Sequence, residues 1–148
     1  MVQILEGISQ GAQANMDGDR DLLRALKRED EAILHLYEWA SPSLTYGYFV
    51  KPEDFLNLEA IEELGIDMGR RPTGGGIIFH AWDLAFGVII PASHPGYSDN
   101  TLQNYDYINS RVKRAVSSFI KESGLELLHY DPIHPNQAIS RFCMAKPT

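Results

Sequence analysis

Arg70 and Arg71, the run Gly74-Gly75-Gly76 and the histidine His80 fall within eleven residues: Arg70-Arg71-Pro72-Thr73-Gly74-Gly75-Gly76-Ile77-Ile78-Phe79-His80. Each residue type deals with charge in its own way. A guanidinium presents a fork of N–H donors that matches a carboxylate or phosphate. Glycines bring main-chain N–H groups close to a ligand and open backbone conformations closed to other residues. A histidine can give or take a proton near neutral pH. Together they suit an acyl carboxylate, an acyl phosphate or a nucleotide. The loop is not a P-loop, because no Gly-Lys-Ser/Thr follows. It is not a dinucleotide fingerprint either, since apolar strand residues stand where a helix should begin. Taken singly, a glycine run is commonly a turn and a strand-end histidine commonly a satisfied one. The cluster points to an anion site.

Other chemistry-bearing residues are scattered. Cys143 is the single cysteine. It excludes an intrachain disulfide and fits a reducing, cytoplasmic compartment. Taken alone, its thiol reads as an inert buried group sooner than as a nucleophile. His129, Asp131 and His134 lie in a proline-bounded stretch with no fourth ligand in evidence, so no metal site is assigned.

The elements that must position these residues follow from periodicity. The 148 residues suffice for one domain with a real core, and 44% hydrophobic with 22% charged residues is a globular composition. A net charge of −7 argues against nucleic acid as the main partner. No apolar run is long enough to span a membrane, and no secretory signal opens the chain. Residues 12–27 read as a helix with Met16, Leu22, Leu23 and Leu26 on one face. Ala32–Trp39 and residues 43–49 read as strands joined at Ser41-Pro42. A short acidic helix over residues 58–64 ends at Gly65, and a strand over 66–69 leads into the glycine loop. Ile77–His80 and residues 84–90 read as a hairpin. A long amphipathic helix covers residues 100–123 and is capped by Gly124, and 125–130 reads as a further strand. The mixture without strand–helix alternation implies an α+β domain whose mixed sheet is mostly antiparallel and flanked by helices. Residues 142–148 run out without a closing element, which reads as a chain cut at its C-terminus.

With those elements in place, the central motif and Asp83-Leu84 resemble the R-R-x-[ST]-G-G-G-x-x-x-H motif of the lipoate–protein ligase A family. That family shares its catalytic fold with biotin–protein ligases and octanoyltransferases. Asn15-Met16-x-x-Asp19 resembles the family's N-terminal helix, and Ser43-Leu44-Thr45-Tyr46-Gly47-Tyr48-Phe49 resembles one of its strands. The likeness extends from about residue 12 and makes the whole chain, 1–148, the N-terminal portion of one catalytic domain.

The resemblance implies attachment of a lipoyl or octanoyl group to a lysine of lipoyl-domain proteins. Arg70, Arg71, Thr73, Gly74, Gly75 and Gly76 would hold the acyl head. Ile77, Phe79 and the strand over 84–90 would wall the tail, and His80 would handle hydrogen bonds or protons at the mouth. A ligase of this kind uses ATP with Mg and passes through an acyl-adenylate. The alternative is an ATP-independent octanoyltransferase that takes octanoate from acyl carrier protein, with Cys143 as the thioester nucleophile, because Arg141-Phe142-Cys143-Met144-Ala145-Lys146-Pro147-Thr148 resembles the Cys-Phe-x-x-Pro-[ST] segment of one branch. The triple glycine is the ligase form and the cysteine the transferase form. A third reading is a non-catalytic module that binds an acyl ligand or a partner. Gly87 departs from the family pattern, standing where Ser or Thr is usual, and the family's downstream lysine segment has no counterpart in the chain.

Overall fold

The computed structural model describes residues 2–27, 29–81 and 83–124. Two three-stranded sheets carry the fold. The first comprises β1 (Val2–Gln10), β2 (Ala32–Trp39) and β6 (Ala85–Ile89), with β2 in the centre. The second comprises β4 (Asp67–Arg70), β3 (Ser43–Tyr46) and β5 (Ile77–His80), with β3 in the centre. Each central strand has one parallel and one antiparallel neighbour: β2 runs parallel to β1 and antiparallel to β6, and β3 runs parallel to β4 and antiparallel to β5. The α+β class holds and the sheets are mixed, but antiparallel pairing does not predominate among the described strands.

The expected hairpin is not formed. β5 pairs with β3 and β6 pairs with β2, so the chain changes sheets between His80 and Ala85. A tight hairpin needs a two-residue turn with positive φ, usually supplied by Asn-Gly or Asp-Gly. The connection offers no such pair, and the only positive φ values among the described residues belong to Gly65, Gly75 and Gly124. β2 and β3 part in the same manner across Ser41-Pro42. β1 has no clear strand signal in the sequence. It lies at the sheet edge with Val2, Ile4 and Ile8 exposed, so its alternation carries little burial signal.

Helix α1 (Ala12–Ala25) lies against the second sheet and buries Ala12, Asn15 and Met16. Its N-cap is Gly11, which has no side chain to satisfy the first free N–H groups. Asp67 of β4 does so instead, its carboxylate accepting from the Ala12 amide at 2.6 Å, a favourable position for negative charge. Gly69 permits this close approach, since a Cβ there would stand 2.7 Å from the Ala12 backbone. Thus β4, which feeds the glycine loop, is fixed to the helix. Helix α2 (Leu58–Glu63) is capped by Asn57 and ends at Gly65 with φ +64, as its sequence implies. Helix α3 (Thr101–Glu122) turns Ile108, Val112 and Val116 toward the outer face of β2 and β6 around an apolar cavity. The strand expected over residues 125–130 lies outside the described residues.

Candidate acyl-binding site

β3 and β5 supply the centre of the site. Their antiparallel register sets Ser43 opposite His80 and Thr45 opposite Ile78, so these four share one face. Leu44 with Phe79 and Tyr46 with Ile77 share the other. His80 is buried, and its Nε2 stands 2.9 Å from the Thr45 hydroxyl while its Nδ1 stands 2.6 Å from an Asp83 carboxylate oxygen. The imidazole stacks on Trp39 of β2, ring centroids 4.2 Å apart, which joins the two sheets at this point.

Beyond β4 the chain turns through the glycine loop, whose Thr73, Gly74 and Gly76 carbonyls accept from the protein. Tyr48 N–H donates to the Thr73 carbonyl at 2.8 Å, and Gly47 N–H to that of Gly76 at 3.1 Å. The Arg71 guanidinium donates to the carbonyls of Gly74 and Gly76 at 3.3 and 2.7 Å and to the Thr45 hydroxyl at 2.9 Å. The amides of Gly74, Gly75 and Gly76 have no acceptor among the described residues. The loop is an acceptor toward the protein, with its donors left over for an anion. Gly47 makes this fit possible, because a Cβ there would lie 2.1 Å from the Gly75 carbonyl oxygen. Gly47 follows directly on β3, which ends at Tyr46 and does not continue to residue 49 as expected.

A cavity of about 460 Å³ extends from this loop between the sheets and α1. Arg71, Thr73, Thr45 and His80 line its polar end, and Met16, Leu23, Ile78 and Val88 give it apolar walls. Burial pushes the Arg71 guanidinium below its ordinary value, with Tyr105 acting in the opposite sense. A cation desolvated in this way gains from taking an anion. An arginine at one end and the apolar walls beyond it suit a molecule with a carboxyl head and a short fatty tail.

Residues 11–126 match the lipoyl protein ligase A/B catalytic domain. The chain belongs to that family. It is 30% identical over 113 residues to the octanoyltransferase LipM of Carboxydothermus hydrogenoformans, a match covering 76% of this chain and 40% of the relative. Among solved structures, a bipartite lipoate protein ligase from Thermoplasma acidophilum is 25% identical with a TM-score of 0.65, covering 88% of this chain and 49% of that one. A second structure from that organism, a lipoate protein ligase described with bound lipoic acid, is 26% identical with a TM-score of 0.56, covering 70% of this chain and 41% of that one. The chain therefore spans about two fifths to one half of the length of these three relatives.

Within this family member the two arginines separate. Arg71 lines the cavity, whereas Arg70 reaches the opposite side of β3, donating to the Tyr48 carbonyl at 3.0 and 2.6 Å and resting over the Tyr48 ring. Strand alternation separates the expected wall residues in the same way. Ile78 lines the cavity while Ile77 and Phe79 face away, Phe79 with 57% of its surface exposed. Of the strand beyond, Ala85 through Ile90 all contribute to the lining. Cys143, and the group His129, Asp131 and His134, lie outside the described residues.

The sequence reading missed a second polar cluster on the cavity wall. Asp19 of α1 accepts from the Tyr37 hydroxyl and from His35 Nδ1, the latter at 2.9 Å. Burial, and then the hydrogen bond to Asp19, push the Tyr37 phenol well above its ordinary value, which keeps it a donor. Tyr37 is separated from His80 by Trp39, so this pair stands away from the arginine end. It also accounts for Gly87, since a Cβ there would lie 2.5 Å from the Tyr37 hydroxyl and 2.7 Å from the Asp19 carboxylate. Gly87→Ser is expected to destabilise this chain by about 1–3 kcal/mol through overpacking. Urea unfolding measures it, and an unchanged midpoint would count against the packing seen around Tyr37.

Proposed function

We propose that the chain is the acyl-binding portion of an enzyme that attaches a lipoyl or octanoyl group to a lysine of a lipoyl-domain protein. The observation that supports this reading best is Arg71 at one end of a cavity with long apolar walls, next to a glycine loop whose amides have no acceptor among the described residues. The carboxyl or thioester carbonyl of the acyl group lies at Arg71 and the amides of Gly74–76, and its tail runs along Met16, Leu23, Ile78 and Val88. Fixed donors of this kind stabilise negative charge developing on the carbonyl oxygen. His80, held by Asp83 and Thr45, sits beside that head and offers the proton-handling group. Thr73 closes the loop over the head.

Two versions of the chemistry use this site. In the ligase version ATP with Mg supplies the adenylyl group that activates the carboxylate, and Arg71 with the amides of Gly74–76 would hold the anionic acyl-phosphate. The donor set fits such a group as well as it fits a carboxylate. In the transferase version no cofactor is needed. The Cys143 thiolate attacks the thioester of an acyl carrier protein, a new C–S bond forms, and the carrier thiol leaves. The lysine amine of the acceptor then displaces Cys143. The octanoyltransferase relatives favour the second version, and the ligase structures and the triple glycine favour the first.

The experiment is binding followed by labelling. Calorimetry of the chain with octanoate and lipoate is expected to give saturable binding with 1:1 stoichiometry, and no binding at millimolar ligand would overturn the site. Incubation with octanoyl carrier thioester is then expected to give a hydroxylamine-labile adduct in the intact mass that Cys143→Ser abolishes. An adduct that persists in that variant excludes Cys143 as the nucleophile. Diphosphate release on adding octanoate, ATP and Mg would instead identify the ligase version.

A further inference from the structure

Thr45 touches neither acyl head nor tail in either version of the chemistry, yet it is the residue at which the site's hydrogen bonds converge. Its side chain is fully buried in the centre of the second sheet, with 1% of its surface exposed. Arg71 can only donate, so the Thr45 oxygen accepts from it at 2.9 Å. The Thr45 hydroxyl proton is then free for His80 Nε2, also 2.9 Å away. A hydroxyl that donates there meets an unprotonated Nε2, and the ring proton then sits on Nδ1, facing the Asp83 carboxylate oxygen at 2.6 Å. In that arrangement donors and acceptors run in one direction, from Arg71 through Thr45 and His80 to Asp83. The same guanidinium holds the Gly74 and Gly76 carbonyls.

We propose that Thr45 is the positioning residue of this site: its hydroxyl, accepting from Arg71 and donating to His80, sets both the glycine loop and the histidine tautomer. The inference rests on the acyl-binding reading for its consequence, but not for its geometry. Without the hydroxyl, the Arg71 nitrogen that Thr45 accepts from loses that acceptor in a desolvated place, and Nε2 loses its only donor among the described residues. The loop arginine and the histidine are then free to move independently. A merely structural threonine would leave the tautomer untouched.

The test uses Thr45→Val, which keeps the shape and β-branching, and Thr45→Ser, which keeps the hydroxyl. In the unaltered chain, two-dimensional 15N–1H spectra are expected to show His80 neutral with its proton on Nδ1. Thr45→Val is expected to shift the Nε2 resonance and mix the tautomers, and to weaken octanoate binding about tenfold, the scale of one hydrogen bond to a charged group. Thr45→Ser is expected to restore both. A proton on Nε2 in the unaltered chain overturns the proposal without any variant, even if the valine protein fails to fold. So does a folded Thr45→Val chain with an unchanged tautomer. If the unaltered chain binds no octanoate or lipoate, the acyl-binding reading fails, while the tautomer measurement still decides the role of Thr45.

Discussion

Gly75→Val is expected to remove measurable octanoate and lipoate binding while the chain stays folded. Gly75 has φ +100, where a branched side chain is strained by roughly 1–3 kcal/mol. A Cβ at that position would also stand 2.9 Å from an Arg71 guanidinium nitrogen. Relief of the strain requires the peptide planes on either side to rotate. That rotation turns the loop amides away from the anion and breaks the contacts that hold the Gly74 and Gly76 carbonyls. Losing several oriented donors together should weaken binding at least about a hundredfold, close to 2.7 kcal/mol. The fold has little stake in the change, because the loop is exposed and both sheets pair elsewhere. Calorimetry on a variant with an unaltered circular dichroism spectrum makes the measurement. Ordinary affinity in that variant would falsify the loop assignment.

The two adjacent arginines should behave very differently. Arg71→Ala is expected to cost about a hundredfold or more in octanoate affinity, since charged hydrogen bonds contribute roughly 1.5–3 kcal/mol each and this side chain both faces the head and fastens the loop. Arg71→Lys should recover little, because an ammonium cannot replace a planar fork that holds two loop carbonyls and Thr45 at once. Arg70→Ala should stay within about fivefold, the scale of a half-exposed polar contact on the far side of β3. Equal losses in both variants would mean that the cavity beside Arg71 is not where the head binds.

The cluster Arg71, Gly74–76 and His80 was legible because each residue type has few alternatives for what it does. Helix periodicity likewise located α1 and α3 to within two residues at each end, and the glycine stops after α2 and α3 carry the positive φ their places imply. What failed to transfer was facing. Ile77 and Ile78 are identical in type and adjacent, and only the pairing of β5 with β3 decides that the second one meets the cavity.

Local sequence therefore fixed which residues could bind an anion and where the chain turns, because propensity, charge and glycine freedom act within a few residues. Tertiary structure alone decided the rest. The split of β5 and β6 between two sheets opens the cavity, since a hairpin would have placed both on one surface. The parting of Arg70 from Arg71 depends on Tyr48, 22 residues earlier, and the Asp19–Tyr37 pair depends on α1 crossing β2. Thr45 reaches His80 across 35 residues and Arg71 across 26. Contacts over such separations arise from strand register and sheet packing, which no short window of sequence specifies.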